Sequence, residues 1–187
     1  MENFNIKSLG IGLVVTVVCV ALMGSAFRSK GIAPGDVAPA FSESGTDGKT
    51  HSLKSLTAKT PVVLYFIKIG CPVNQRAIPY FNKIADAYKG KATLVGVING
   101  DMAAAKQWKE DNGASYTILA DSDNSTIRAY KAMYSPWAVT IKQDGKIAKS
   151  LPGGSKDELT VINDFMAAAA KTAPSKIAFD GAPRGGG

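Results

Sequence analysis

The 187-residue sequence has only two cysteines and one histidine. Two cysteines cannot build a disulfide framework or a four-thiolate zinc site, and one histidine excludes metal centres that need several imidazoles. A Gly-rich phosphate loop and a Ser-His-Asp set are also missing from the sequence. We therefore expect no cofactor and no metal ion, so that any chemistry must use few side chains.

Acidic residues are in the minority, since 15 Asp and Glu stand against 22 Lys and Arg, for a net charge of +7. The basic residues are scattered, and no run of four or more occurs. Nucleic-acid phosphates are bound by clustered positive charge, so this pattern argues against a nucleic-acid partner. With 45% hydrophobic residues, the chain has enough apolar material for the core of one domain.

A long uncharged segment lies near the N-terminus, between Lys7 and Arg28. About 20 apolar residues span the roughly 30 Å hydrocarbon layer of a membrane, so residues 9–27 are predicted to contact a membrane as a transmembrane helix. We interpret residues 1–28 as an N-terminal membrane anchor or signal segment, with a retained anchor favoured over cleavage after small residues. The flanking charges leave the orientation open. Cys19 falls in this run, where it makes a poor partner for a cysteine of the folded domain.

The rest of the chain divides by composition into three parts. Residues 29–36 are predicted to be a linker, residues 37–171 a folded domain, and residues 172–187, with their Gly, Pro and Ser, a disordered tail. In the domain, residues 61–69 form a continuous β-branched and aromatic run, which predicts a strand buried on both faces.

Strands and helices are predicted to alternate after this central strand. The helix that follows it begins at Cys71-Pro72 and ends before Gly90. Further strands are predicted over 93–98, 116–120, 137–142 and 146–150, with the last two joined by the hairpin signal Asp144-Gly145, and further helices over 101–113, 123–133 and 156–170. This order indicates an α/β sheet covered by helices on both faces.

Cys71 stands where the central strand passes into the first turn of a helix, with Pro72 at a position that needs no backbone N–H. The unpaired N–H groups and the dipole of a helix start favour an anion, so we expect them to stabilise the Cys71 thiolate. A cysteine in that state is a nucleophile. The alternative is a small, buried, chemically inert residue.

Several short motifs, taken in order, resemble the redoxin (AhpC/TSA) branch of the thioredoxin-like superfamily over residues 35 to 170. The stretch Cys71-Pro72-Val73-Asn74-Gln75-Arg76 is similar to proteins with a single CP-x-x-x-R motif. The other matching segments are Gly35-Asp36, Ala38-Pro39 with Phe41, Asp47-Gly48-Lys49, Ser52-Leu53, PVVLYFIKIG, LVGVI, Ser135-Pro136 and Asp144-Gly145-Lys146.

This resemblance implies a thioredoxin-like fold, with a central mixed sheet flanked by helices. It implies that Cys71 is the attacking cysteine and that Pro136 is a cis-proline facing it. It also implies that an external thiol or a thioredoxin-like reductant regenerates the cysteine. A hydrophobic leader on such a domain implies a membrane-anchored, extracytoplasmic location, either periplasmic or at the cell surface.

Two positions depart from the family pattern. Thiol-disulfide exchange ordinarily uses Cys-x-x-Cys, but residue 74 is Asn, so no local resolving thiol exists. Peroxiredoxins place Thr or Ser three residues before the cysteine, where this chain has Lys68. The departures leave open whether the domain is an enzyme.

Further candidates for lining the site are Lys68, Gly70, Pro72, Gln75, Arg76, Ser135 and Trp137. Lys68 could stabilise a thiolate by its charge or simply reach solvent, and Arg76 could be a site residue or a solvated helix charge. His51, in the Asp47-Gly48-Lys49 turn region, is expected to be a surface or turn histidine rather than a base.

Two functional hypotheses follow. The first is a membrane-tethered, thiol-dependent oxidoreductase in which Cys71 attacks a peroxide or a disulfide and an external thiol regenerates it. The second is a thioredoxin-like binding or scaffold module that has lost turnover.

Overall fold

The computed structural model describes residues 32–184, so the predicted anchor over residues 1–28 lies outside the described residues. Across residues 32–184, no helix combines the length and the apolar character needed to cross a membrane. These residues form one seven-stranded mixed sheet with helices packed on both faces. The α/β architecture predicted from the sequence is therefore confirmed.

The strands, in chain order, are β1 (Ser42–Gly45), β2 (Thr50–Ser52), β3 (Val62–Ile67), β4 (Thr93–Ile98), β5 (Thr117–Ala120), β6 (Trp137–Ile141) and β7 (Ile147–Pro152). The helices are α1 (Leu53–Thr57), α2 (Pro72–Ala87), α3 (Met102–Asn112), α4 (Ser125–Ala129) and α5 (Lys156–Ala170). The spatial order of the strands is β2-β1-β5-β4-β3-β6-β7. Strands β3, β4 and β5 run parallel, and every other neighbouring pair is antiparallel.

Strand β3 lies at the centre of the core, as its unbroken apolar sequence predicts, and all six of its residues are buried. Alternate side chains point to opposite faces of a strand. Val63, Tyr65 and Ile67 join a core formed with α2, α3 and α5. The other three join a second core with α1 and Tyr130.

Local capping signals locate several boundaries as the sequence predicts. The Asp101 side chain accepts a hydrogen bond from the Ala104 N–H at 2.8 Å at the start of α3. Gly113 ends that helix in the left-handed conformation, with φ of 63°. Helix α5 has the predicted bounds, and its N-terminus carries a capping box of Ser155 and Glu158.

The helix predicted over residues 123–133 is much shorter in the structure, because α4 ends at Ala129. Tyr130 is buried in the second core, and its hydroxyl donates to the Pro39 carbonyl at 2.7 Å. Lys131 then adopts a left-handed conformation with φ of 51°. The chain therefore leaves the helical path early and passes through residues 131–136 to β6.

Both predicted flanking segments pack against the domain where the structure describes them. Gly35 N–H donates to the Ile147 carbonyl at 2.8 Å, so residues 32–36 belong to the domain rather than to a linker. The prediction of a disordered tail is wrong over residues 172–184, because Phe179 is only 5% exposed and packs on Tyr80. The Tyr80 hydroxyl also donates to the Asp180 carbonyl at 2.6 Å.

Candidate functional site around Cys71

The carboxyl ends of the parallel strands meet at one edge of the sheet, where α/β proteins commonly bind ligands. Lys68 follows β3 at this edge, and Asn99 follows β4. Strand β6 runs antiparallel to β3 and pairs Trp137 with Phe66, so Ser135-Pro136 reaches the same edge. The topology thus brings the central candidate residues together.

Cys71 occupies the N-cap of α2, and Pro72 is the first helical residue, as the sequence predicts. Gly70 makes the turn from β3 with φ of 81°, a conformation in which any other L-residue would be strained. The Cys71 N–H donates to the Lys68 carbonyl at 3.2 Å, which closes this turn. The side chain of Cys71 is partly exposed.

The Sγ atom of Cys71 donates a hydrogen bond to the Ser135 carbonyl at 3.3 Å. It makes no capping hydrogen bond with the first amides of α2, which differs from the expected contact of a thiolate with the helix start. A thiolate has no proton to donate to a carbonyl. The hydrogen bond to Ser135 is therefore lost when the thiol ionises.

The Ser135-Pro136 peptide bond is cis, as the family resemblance implies. Both residues are buried, and Ser135 presents its carbonyl to the sulfur. Gly154 packs between Pro136 and Ala77 of α2. A Cβ added at Gly154 would lie 3.1 Å from Pro136 Cγ and 3.1 Å from Ala77 Cβ. This contact joins the proline loop to α2 and was not foreseen from the sequence.

Asn74 lies fully buried beneath Cys71. Its Nδ2 donates to the Ser135 hydroxyl at 2.9 Å and to the Lys68 carbonyl at 3.1 Å, and its Oδ1 accepts from the Tyr65 hydroxyl at 2.9 Å. Burial, with smaller contributions from Tyr116 and Cys71, raises the pKa of Tyr65 well above its ordinary value. Tyr65 therefore remains a hydrogen-bond donor at physiological pH.

This network was missed by sequence reasoning, which considered Asn74 only as the residue replacing a second thiol. The position of Asn74 in the helix could have indicated its burial. It lies on the same face of α2 as the buried residues Ala77, Ile78 and Phe81. A polar residue on such a face requires hydrogen-bond partners.

The other candidates differ in whether they line the cleft that contains Cys71. Lys68 is exposed and lines the cleft in which Cys71 lies. Gln75 and Arg76 are exposed on α2 and do not line that cleft. Trp137 stacks on Tyr134, with ring centroids 6.4 Å apart.

His51 is not part of this site. It lies on β2, and its Nε2 is 2.9 Å from Asp47 Oδ1 across the β1–β2 turn. At this position it does not line the cleft that contains Cys71. Within residues 32–184, no group of three His, Cys, Asp or Glu side chains is placed to hold a metal ion.

The cleft around Cys71 has a volume of about 480 Å³ and an apolar rim. Met133 is 72% exposed, Tyr134 63% and Ile69 44%. Large apolar side chains that remain in water near a reactive group are typical of surfaces that bind a partner. Met133 and Tyr134 were not predicted to be here, because the sequence suggested a helix through residue 133.

Comparison with known proteins agrees with this geometry. The AhpC/TSA family model matches residues 34–150. The chain belongs to the AhpC/TSA family. The fold is similar to that of a solved structure, the thioredoxin domain of a thiol-disulfide oxidoreductase from Bacteroides vulgatus. It superposes with a TM-score of 0.63 at 24% identity, and the match covers 72% of this chain and 98% of that domain.

Two curated relatives extend the comparison. The thiol-disulfide oxidoreductase ResA of Halalkalibacterium halodurans is 26% identical over 161 residues, which cover 82% of this chain and 89% of ResA. The chloroplastic peroxiredoxin Q of Triticum aestivum is 31% identical over 97 residues, which cover 50% of this chain and 43% of that protein. The thioredoxin-like fold of this AhpC/TSA family member is thus confirmed.

Proposed function

We propose that this protein is a thiol-disulfide oxidoreductase that acts through Cys71. The Cys71 thiolate attacks one sulfur of a substrate disulfide, the substrate S–S bond breaks, and the departing thiolate takes a proton from water. Cys71 is then held in a mixed disulfide, which an external thiol or a thioredoxin-like reductant cleaves. The observation that carries the proposal is the partly exposed Cys71 sulfur at a helix start in an open cleft.

The single-cysteine cycle rests on Asn74 and on the cysteine count. Cys71 is the one cysteine among residues 32–184, and the position three residues later holds the buried Asn74. The second cysteine of the chain, Cys19, lies in the apolar N-terminal segment. The electrons that release the product must therefore come from another molecule.

A disulfide is favoured over a peroxide as the substrate. Lys68 is exposed and offers no hydroxyl for a peroxide oxygen. The Ser135 hydroxyl is the nearest alternative, but it is buried and bonded to Lys68 N–H at 2.9 Å and to Asn74. The similarity to ResA, a thiol-disulfide oxidoreductase by name, also supports disulfide chemistry.

Membrane tethering through residues 9–27 and an extracytoplasmic position of the domain are further parts of this proposal. They rest on the uncharged length of that segment. Carbonate extraction of membranes tests whether residues 9–27 anchor the protein. Protease digestion of intact cells, and of cells stripped of any outer membrane and wall, tests on which side of the membrane the domain lies. Release by carbonate contradicts the anchor, and protection from protease both in intact cells and in cells stripped of any outer membrane and wall contradicts the extracytoplasmic position.

Turnover tests the enzymatic activity. The full-length chain with Cys19→Ser, in which Cys71 is the only thiol, is given excess dithiothreitol and either an oxidised protein substrate or hydrogen peroxide. We expect disulfide reduction above the uncatalysed rate, proportional to protein concentration and absent in Cys71→Ser. Turnover of peroxide alone would overturn the substrate assignment, and no turnover of either would favour a scaffold module.

A further inference from the structure

A second cavity, of about 210 Å³, adjoins the cleft that contains Cys71. The two cavities share Lys68, Met133, Tyr134 and Ser135 as lining residues. Ser135 is also the residue whose carbonyl contacts the Cys71 sulfur. A molecule bound with its reacting sulfur at Cys71 can therefore extend directly into the second cavity.

The charged side chains around these cavities are all positive. Lys68 and Arg128 line the second cavity, and Lys68 also lines the Cys71 cleft. Of the residues that the structure describes, no Asp or Glu lines either one. The acid next to Asn124 in sequence, Asp123, does not line the cavity: its Oδ1 accepts from the Ser125 N–H at 2.8 Å. Hydrogen bonds from Ser125, with a smaller contribution from the Arg128 charge, lower the pKa of Asp123, so it offsets part of the positive charge at this wall.

Arg128 is held in place while most of its donors remain available. Its Nη1 donates to the Asp123 carbonyl at 2.7 Å. A guanidinium carries five N–H donors in a planar fork that matches a carboxylate. One donor thus orients the side chain, and others can bind a ligand.

Two amide side chains add neutral donors to the same wall. The Asn99 Oδ1 accepts from the Ile69 N–H at 2.8 Å, so the group that it can offer a ligand is its Nδ2. Asn124 begins α4 with φ of 58° and makes no side-chain capping bond. Its amide is therefore not used to stabilise the helix, although Asn at this position usually has that role.

We propose that this second cavity is an anion subsite, which binds a carboxylate of the disulfide substrate while the substrate sulfur lies at Cys71. Charge-assisted bonds from Arg128 and Lys68 supply the attraction, and the amides of Asn99 and Asn124 orient the group. The substrate class is then a disulfide with a carboxylate next to its reactive sulfur. This inference rests on the proposed disulfide exchange and adds a preference for anionic substrates.

Three aliphatic disulfides of similar size test the subsite: neutral bis(2-hydroxyethyl) disulfide, anionic 3,3′-dithiodipropionate and cationic cystamine. The rate constant for thiol release is measured with the reduced full-length Cys19→Ser chain. Arg128→Gln and Lys68→Gln are compared with Lys142→Gln, which removes an equal charge from the exposed β6–β7 hairpin. Because variants are compared by the ratio of anionic to neutral rates, the intrinsic reactivities of the disulfides cancel.

We expect Arg128→Gln and Lys68→Gln each to lower the anionic-to-neutral ratio by about two- to fivefold, as for partly exposed ion pairs. Lys142→Gln should leave the ratio nearly unchanged, and the cationic-to-neutral ratio should rise in the two cavity variants. An equal fall in all three variants would show only the effect of net charge and would overturn the subsite. Failure of even the neutral disulfide to react with Cys71 would overturn the proposed function itself.

The carboxylate could belong to a small acid or to an acidic residue of a polypeptide. Two peptides distinguish these sources, each with one cysteine blocked by 2-mercaptoethanol and flanked by Glu in one case and by Gln in the other. A preference for the Glu peptide that Arg128→Gln abolishes assigns the subsite to polypeptides. An effect on dithiodipropionate alone assigns it to small acids, and an effect on neither probe overturns the proposal.

Discussion

Asn74 Nδ2 lies 2.9 Å from the Ser135 hydroxyl, and this hydrogen bond joins the first turn of α2 to the loop before β6. The same nitrogen binds the Lys68 carbonyl at the end of β3. One buried amide therefore connects the three chain segments that surround Cys71. The site is held together by the residue that stands where a second thiol would be.

Replacing Asn74 by Ala should lower the free energy of unfolding by about 2 to 3 kcal/mol, because the buried Tyr65 hydroxyl loses its acceptor and the Lys68 carbonyl loses one of its two donors. Tyr65→Phe is the milder control, at about 1 kcal/mol, since Asn74 Oδ1 can still accept from Ser135. Urea unfolding measures both variants. Equal stability of Asn74→Ala and the unchanged chain would show that the network is not important for the fold.

Gly154→Ala should both destabilise the domain and slow disulfide exchange. The new methyl group would press on Pro136 and on Ala77, neither of which has a flexible end that can move aside. Overpacking of this kind costs about 1 to 3 kcal/mol. Addition of Ala77→Gly opens space on the helix side, so the double variant should recover part of the exchange rate, and no recovery would argue against the contact with α2.

Asp121 should make stability depend on pH. Burial raises the pKa of Asp121 above its ordinary value of 3.8, although hydrogen bonds from the Ile127 and Thr126 N–H groups oppose the shift. Because its pKa is higher in the native state, Asp121 binds a proton more tightly there than in the unfolded chain. The stability that protonated Asp121 contributes is therefore complete below the pKa of the unfolded chain, and it is lost as pH rises through the native pKa.

The Asp121→Asn variant lacks this titration. The free energy of unfolding of the unchanged chain, relative to the variant, should therefore decrease as pH rises from about 4 to 7. Loss of the Asp121 charge also lowers the pKa of nearby Glu43, which acts in the same direction. Urea unfolding at several pH values measures the difference, and an increase with pH would contradict the raised pKa.

The C-terminal segment should contribute to stability without taking part in the chemistry. Phe179 is buried against Tyr80 of α2, so Phe179→Ala should cost about 2 to 4 kcal/mol. The rate constant of Cys71 with neutral disulfide, measured well below the unfolding temperature, should change little. An unaltered melting temperature would contradict the packing of residues 172–184.

The sequence predicts much of this fold because its signals are local. The apolar run of β3, the Asp101 cap and the Asp144-Gly145 hairpin each specify structure within a few residues, and the structure has them at those places. The tail was mistaken for disorder because its composition is rich in Gly and Pro. Its packing depends on Phe179 meeting Tyr80, about 100 residues away in sequence, as the Tyr80–Asp180 hydrogen bond also shows.

The site could be predicted only in part for the same reason. Cys71 at a helix start follows from neighbouring residues, and the cis form of Pro136 follows from the family resemblance. Met133 and Tyr134 line the adjoining cavity from a segment that is not helical because α4 ends at Ala129, and Tyr130, just after that end, packs against residues distant in sequence. Arg76, which has the expected spacing of the motif, remains on the outer face of α2.

The most direct test is to trap the mixed disulfide at Cys71. The reduced full-length Cys19→Ser chain is mixed with bis(2-hydroxyethyl) disulfide, quenched with acid and analysed by intact and peptide mass spectrometry. We predict one 2-hydroxyethylthio adduct on the Cys71 peptide, removed by added dithiothreitol and absent in Cys71→Ser. An unmodified Cys71 in folded protein, with the same thiol reacting readily after denaturation, would contradict the account.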